Sequence, residues 1–162
     1  EPANYAFVHF HDADQAGHKH NWGSPEYNAA VKAVDGYLGA ILELVSTDPR
    51  LRGRTVVIVS ADHGGFGNNH GDNSNPLNYT IPFYVWGATV KPGKDLYALN
   101  EKTRKDPGTG RPDYAESEQP IRNGDGGNLA MSLLGLPAVP DSLIDAGEDL
   151  AVQQPADPLK RQ

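Results

Sequence analysis

Residues 55–60 read Thr-Val-Val-Ile-Val-Ser, a continuous β-branched run. Such a strand has no polar face to leave in water. It must be covered on both sides, as strands are in a largely parallel sheet flanked by helices. A cover lies just upstream. Ser24-Pro25-Glu26 has the form of a helix start: a hydroxyl cap, proline at the first helical position, then an acid. Behind it Tyr27, Ala30, Val31, Val34, Leu38, Ile41, Leu42 and Val45 recur at steps of three and four, which predicts one apolar helical stripe from about residue 25 to 46. Asp48-Pro49 stops it. Residues 5–10 (Tyr-Ala-Phe-Val-His-Phe) read as an earlier strand, so strand, helix and strand predict a βαβ unit with a parallel pair and a right-handed crossover. Residues 81–86 predict a third strand.

Downstream the pattern weakens. Residues 91–127 are polar and rich in Gly and Pro, with no clear period, and read as a long loop or insertion. A short helix is expected over 128–134, closed by Gly135 and followed by Pro137. The expected organisation is therefore an α/β domain over 1–140, a mostly parallel sheet flanked by helices but incomplete, and a weakly structured tail over 141–162. At 162 residues with 38% hydrophobic and 22% charged side chains, the composition is that of a globular chain. A net charge of −7 argues against broad electrostatic binding to nucleic acid, yet leaves room for a small phosphorylated substrate if bound cations reverse the local field. There is no cysteine, which removes thiolate chemistry, and no apolar run long enough to span a bilayer.

The acids and histidines fall where the strands are expected to end, the place where ligands gather in open α/β sheets. Asp14 and His18 follow the first strand, in Asp14-Gln15-Ala16-Gly17-His18. Asp62 and His63 follow the second, in Ser60-Ala61-Asp62-His63-Gly64-Gly65, and His70 comes seven residues later in a stretch rich in Gly and Asn. Carboxylates with neutral imidazoles are the ligand set of zinc and related metals. Five such groups exceed the three or four that one catalytic zinc takes from protein, so two ions are the natural reading. Ser60 reads as a packed or hydrogen-bonded hydroxyl. His9 and His11 either orient ligands or line a strand face. Lys19, His20 and Asp72 stand beside ligand positions and either touch substrate or are solvated.

These motifs resemble the later metal-binding motifs of the alkaline phosphatase superfamily, in the order and spacing of its nucleotide pyrophosphatase/phosphodiesterase branch. The carriers are Asp14-x-x-Gly17-His18, Ser60-x-Asp62-His63-Gly64-Gly65 and His70-Gly71, with Ile81-Pro82-Phe83-Tyr84-Val85-Trp86-Gly87 and Leu133-Leu134-Gly135-Leu136-Pro137 in support. The likeness covers residues 5–90 well and 120–137 loosely; 91–119 has no counterpart. It implies that Asp14, His18 and His70 hold one divalent ion and Asp62 and His63 the other, zinc first, with manganese or calcium as alternatives. It implies a metal-dependent hydrolase of phosphodiester or nucleotide pyrophosphate bonds, with the hydroxyl nucleophile on an N-terminal half outside this chain. The chain is then expected to be inactive alone, and to self-associate or pair with that half. Sulfatase-like and phosphoglycerate-mutase-like branches of the superfamily are alternatives, as is a non-catalytic metal-binding fragment. The resemblance leans towards a secreted or cell-envelope location.

Overall fold

The structure, a computed structural model, describes residues 1–144 and 150–153. It divides into two compact units. The first comprises residues 1–52, 60–82 and 108–111, and the second residues 53–59, 83–107 and the described residues from 112 onward.

Two helices dominate the first unit. Helix α1 spans Asp12–His20 and helix α2 spans Pro25–Thr47, and the two pack against each other. The α2 start forms as the sequence dictates. The Ser24 hydroxyl accepts the Tyr27 N–H at 3.1 Å, satisfying a donor that the first turn otherwise leaves orphaned, and Pro25 occupies the first helical position, where its missing N–H costs nothing. At the far end the backbone turns extended at Asp48, the residue before Pro49. Of the apolar stripe of α2, Val45 is buried, Val31 is exposed and the other six side chains are half-buried, while Tyr37 and Leu44, which lie off the stripe, are exposed. Phe10 meets Tyr37 with ring centroids 5.6 Å apart. A short helix, α3, covers Pro76–Tyr79.

Two expectations fail here. Residues 5–10 form no strand, and Phe7 in their middle is 79% exposed. A strand is stable only where its N–H and C=O groups find a ladder partner, and among the described residues this segment has none. The segment around Asp14 and His18, expected to follow the end of that strand, is the helix α1.

In the second unit β1 (Val56–Ser60, its last residue belonging to the first unit) pairs with β2 (Phe83–Gly87). The Ala88 N–H donates to the Thr55 carbonyl at 2.9 Å, at the start of one strand and the end of the other. Ser60 and Pro82 meet at the opposite ends, through the Ser60 hydroxyl at 3.0 Å. The pair is therefore antiparallel. The parallel βαβ unit read from the sequence is not formed among the described residues, because β1 pairs with the strand that follows it and not with residues 5–10.

On β2, Phe83 and Val85 turn inward while Tyr84 and Trp86 face out, the period-two alternation of a strand with one covered face. The covered face meets helix α5, Asp125–Leu133, which begins three residues earlier than the sequence suggested. Leu129, 2% exposed, centres the core with Ile58, Phe83, Leu133, Leu150 and Val152 around it. Helix α5 ends as expected: the Gly135 N–H reaches the Ser132 carbonyl and the Leu136 N–H the Met131 carbonyl, both at 2.9 Å. Gly135 takes a φ of 69°, a left-handed turn that costs glycine little.

The polar stretch 91–127 holds the short helix α4, Leu96–Leu99, and a buried ion pair in which the Arg104 guanidinium donates to Asp125 at 3.0 Å. Of the tail expected to be weakly structured, 145–149 and 154–162 lie outside the described residues. Residues 150–153 are tied in: the Asn100 side chain donates to the Ala151 carbonyl at 2.9 Å and accepts the Ala151 N–H at 2.7 Å. No helix among the described residues is long and apolar enough to cross a membrane.

Candidate metal centre

All five residues singled out from the sequence lie in the first unit. Asp14 and His18 sit four apart on α1 and so share one face of the helix, with His18 Nε2 at 3.4 Å from Asp14 Oδ1. The acids of α1 fall in its first turn and His18, Lys19 and His20 in its last, an order that the helix dipole favours.

Asp62, His63 and His70 come from the loop after β1, which backbone bonds hold in shape. The Gly64 N–H donates to the Asn78 carbonyl at 2.9 Å and the Gly65 N–H to the Leu77 carbonyl at 2.8 Å. Phe66 and Asn69 form an isolated antiparallel bridge, and the Asn69 side chain accepts the Gly71 N–H at 3.1 Å. These contacts bring His70 back to α1. One ligand atom each from Asp14, His18 and His70 falls within 4.8 Å of the others. His63 lies flat against His70, ring centroids 3.6 Å apart and planes 18° from parallel. His63 Nε2 is 3.8 Å from Asp14 Oδ1 and 3.6 Å from Asp62 Oδ2, so it stands between the two carboxylates.

The hydrogen bonds around the imidazoles decide what these contacts are. His18 Nδ1 lies 2.8 Å from the Asn68 carbonyl and His63 Nδ1 lies 2.7 Å from the Gly64 carbonyl. A carbonyl can only accept, so in both rings Nδ1 carries the proton and Nε2 of the neutral ring presents a lone pair. Both Nε2 atoms lie close to Asp14 Oδ1, that of His18 at 3.4 Å and that of His63 at 3.8 Å. That oxygen is shielded from solvent and has no hydrogen-bond donor among the described residues, although the Asp14 side chain as a whole is 44% exposed. Acceptors confronting acceptors repel unless a cation lies between them, either a metal ion or a second proton on an imidazole. The spacing suits the former: zinc ligands at ~2.0–2.1 Å in a tetrahedron stand ~3.3–3.4 Å from each other, against the observed 3.4 Å from Asp14 to His18. A divalent cation therefore fits the donor set, and the Nδ1–carbonyl bonds are the kind of outer contact that orients metal-bound histidines.

The other candidates play smaller parts. Ser60 donates to the Pro82 carbonyl, the hydrogen-bonded role read for it. His9 and His11 are exposed, and His11 precedes α1 as its cap residue. The sequence reading passed over Trp22. Its ring stands edge-on to His18 with centroids 5.0 Å apart and to His70 at 6.0 Å. The signal for it was indirect: Gly17 and Gly65 beside the ligand positions, where a bulky neighbour needs the space a Cβ would fill.

A family model described as "Type I phosphodiesterase / nucleotide pyrophosphatase" matches residues 1–133, and the chain belongs to that family. Among curated proteins it is similar to GPI ethanolamine phosphate transferase 1 from several organisms. The Emericella nidulans protein is 36% identical over 95 residues, covering 58% of this chain and 10% of the relative. The Saccharomyces cerevisiae protein is 34% identical over 107 residues, 62% of this chain and 11% of the relative, and that of Mus musculus 31% identical over 85 residues, 52% and 9%. The chain thus spans about a tenth of the length of these relatives. No solved structure matches it. The relatives are named as transferases, whereas the motifs had led to an expectation of hydrolysis.

Proposed function

We propose that this chain is the part of a phosphoryl-transfer enzyme that holds two divalent cations, zinc by preference, over a phosphodiester group. Asp14, His18 and His70 would hold one ion, and Asp62 with His63 the other. The observation that carries this reading is the shielded Asp14 Oδ1, without a hydrogen-bond donor among the described residues and with the Nε2 atoms of two imidazoles at 3.4 and 3.8 Å. Bound there, such ions supply Lewis acidity to phosphoryl oxygens and lower the pKa of an attacking hydroxyl. The chain's own residues do the rest. The Asn68 and Gly64 carbonyls fix the tautomers of His18 and His63, and the Gly64 and Gly65 backbone bonds tie the loop after β1 to α3.

Displacement at phosphorus can end on water or on an alcohol. The similarity to proteins named for transfer of ethanolamine phosphate favours an alcohol acceptor and a phosphoethanolamine-like diester over hydrolysis. The reacting hydroxyl would come from a segment outside this chain. Manganese and ³¹P relaxation test the reading. The phosphorus of a phosphoethanolamine ester should relax far faster with manganese-loaded chain than with manganese alone, and the enhancement should vanish in His70→Ala. Turnover by the chain itself should stay well below the ~1 per second of ordinary enzymes. Relaxation no faster than with free manganese would contradict the proposal.

A further inference from the structure

We infer that Trp22 is a positioning residue that fixes His18 and His70 relative to each other, and so sets the metal affinity of the centre. The inference rests on the proposed metal reading and adds a residue that neither the motifs nor the similarities assign. Trp22 touches both halves of the centre. A Cβ on Gly17 of α1 would lie 2.6 Å from its indole carbons, and one on Gly65 of the loop after β1 would run into the same ring, so the ring fills a slot that exists only because both residues are glycine. Its backbone N–H donates to the Gly67 carbonyl at 2.7 Å, which fastens the segment after α1 to the same loop.

From that slot the indole meets the His18 ring edge-on, 82° between planes, and the His70 ring at 76°. Edge contacts of this kind favour a particular ring orientation, not mere proximity. His18 already has its Nδ1 held by the Asn68 carbonyl, which leaves rotation and tilt of the ring to its neighbours. Among the described residues no hydrogen bond of the His70 ring accompanies its contacts with His63, His18 and Trp22. Packing is what aims it. Removing the indole opens the slot and frees both rings to turn, while every ligand atom remains in the chain.

Cobalt, a zinc substitute with visible bands, tests this on the 162-residue chain. Trp22→Ala should weaken cobalt binding by about 10–100-fold, the scale on which outer contacts tune metal sites, and alter the band shape. Trp22→Phe, which keeps a ring in the slot, should recover most of the affinity. With Trp86→Phe in the background only Trp22 emits, since the chain has two tryptophans, and its fluorescence should be quenched in step with the cobalt bands. Wild-type affinity and band shape in Trp22→Ala would overturn the assignment while leaving the metal centre intact. If that variant does not fold, cobalt bands that saturate without any change in Trp22 emission overturn it instead. A wild-type chain that develops no cobalt bands overturns the metal reading and this inference with it.

Discussion

Changing Asp14 to Asn should raise the stability of the metal-free chain and abolish its stabilisation by metal, two effects of opposite sign from one atom. Asp14 Oδ1 is a shielded acceptor with no donor among the described residues, and the Nε2 atoms of His18 and His63 lie 3.4 and 3.8 Å from it. Leaving such a group unpaired costs ~1–3 kcal/mol, and the lower end applies to a side chain still partly in water. An asparagine NH₂ in that place can donate to either nitrogen, which turns the cost into a hydrogen bond. The metal-free variant should therefore gain ~1 kcal/mol, or ~2–4 °C in melting temperature for a chain of this size. The loaded state behaves oppositely. With metal at a hundred times Kd the wild-type chain gains ~2.7 kcal/mol by mass action, and the variant, with a neutral amide as ligand, should lose most of that gain. Thermal melts of both chains in chelator, and again with zinc, measure both effects. A variant less stable than wild type in chelator, or an equal zinc increment in both chains, would refute the reasoning.

Away from the centre, Leu129→Ala should cost ~2–5 kcal/mol in urea unfolding, since the side chain is 2% exposed in the core of the second unit; its cobalt affinity should not change. Arg104→Met should cost ~3–5 kcal/mol by leaving the Asp125 carboxylate buried without its guanidinium, and the paired change with Asp125→Leu should recover much of the loss in the same assay. Hydrogen bonds from the Arg50 side chain, then its backbone, hold the Asp48 carboxyl down to about 2. A depressed carboxylate stabilises above its ordinary value and loses that contribution as pH falls towards its folded value, so Asp48→Asn should flatten the acid limb of the stability curve between about pH 4 and 2.

What the sequence disclosed and what it hid divide along the range of the forces involved. Helix α2 was legible to within a residue at each end because a Ser-Pro cap, a periodic stripe and a proline stop are all local. The Schellman closure at Gly135 was legible for the same reason. Of the five ligand candidates, Asp14, His18 and His70 bring ligand atoms within 4.8 Å of one another and His63 stacks on His70, while Asp62 stays largely exposed beside His63. Helix α1 was hidden by its composition: Asp-Ala-Asp-Gln-Ala-Gly-His-Lys-His has no apolar stripe, and only the four-residue spacing of Asp14 and His18 hints at a helical face. Residues 5–10 misled because aromatic and β-branched side chains favour a strand that forms only when another strand pairs with it. The bond between Arg104 and Asp125, and the clamp of Asn100 on Ala151, join residues 21 and 51 positions apart. No periodicity announces such contacts. Trp22 was missed because its role lies in filling a gap between two glycines, which is a property of space and not of spacing.

Anomalous diffraction at the zinc edge, from crystals of the chain grown with zinc, tests the central claim most directly. The account predicts two ordered zinc peaks in the first unit, one within ~2.0–2.2 Å of Asp14 Oδ1, His18 Nε2 and a His70 ring nitrogen, and the other at the same distance from Asp62 and His63. Zinc found only at other side chains, or no ordered zinc while His18 and His63 still face Asp14 across an empty gap, would contradict it.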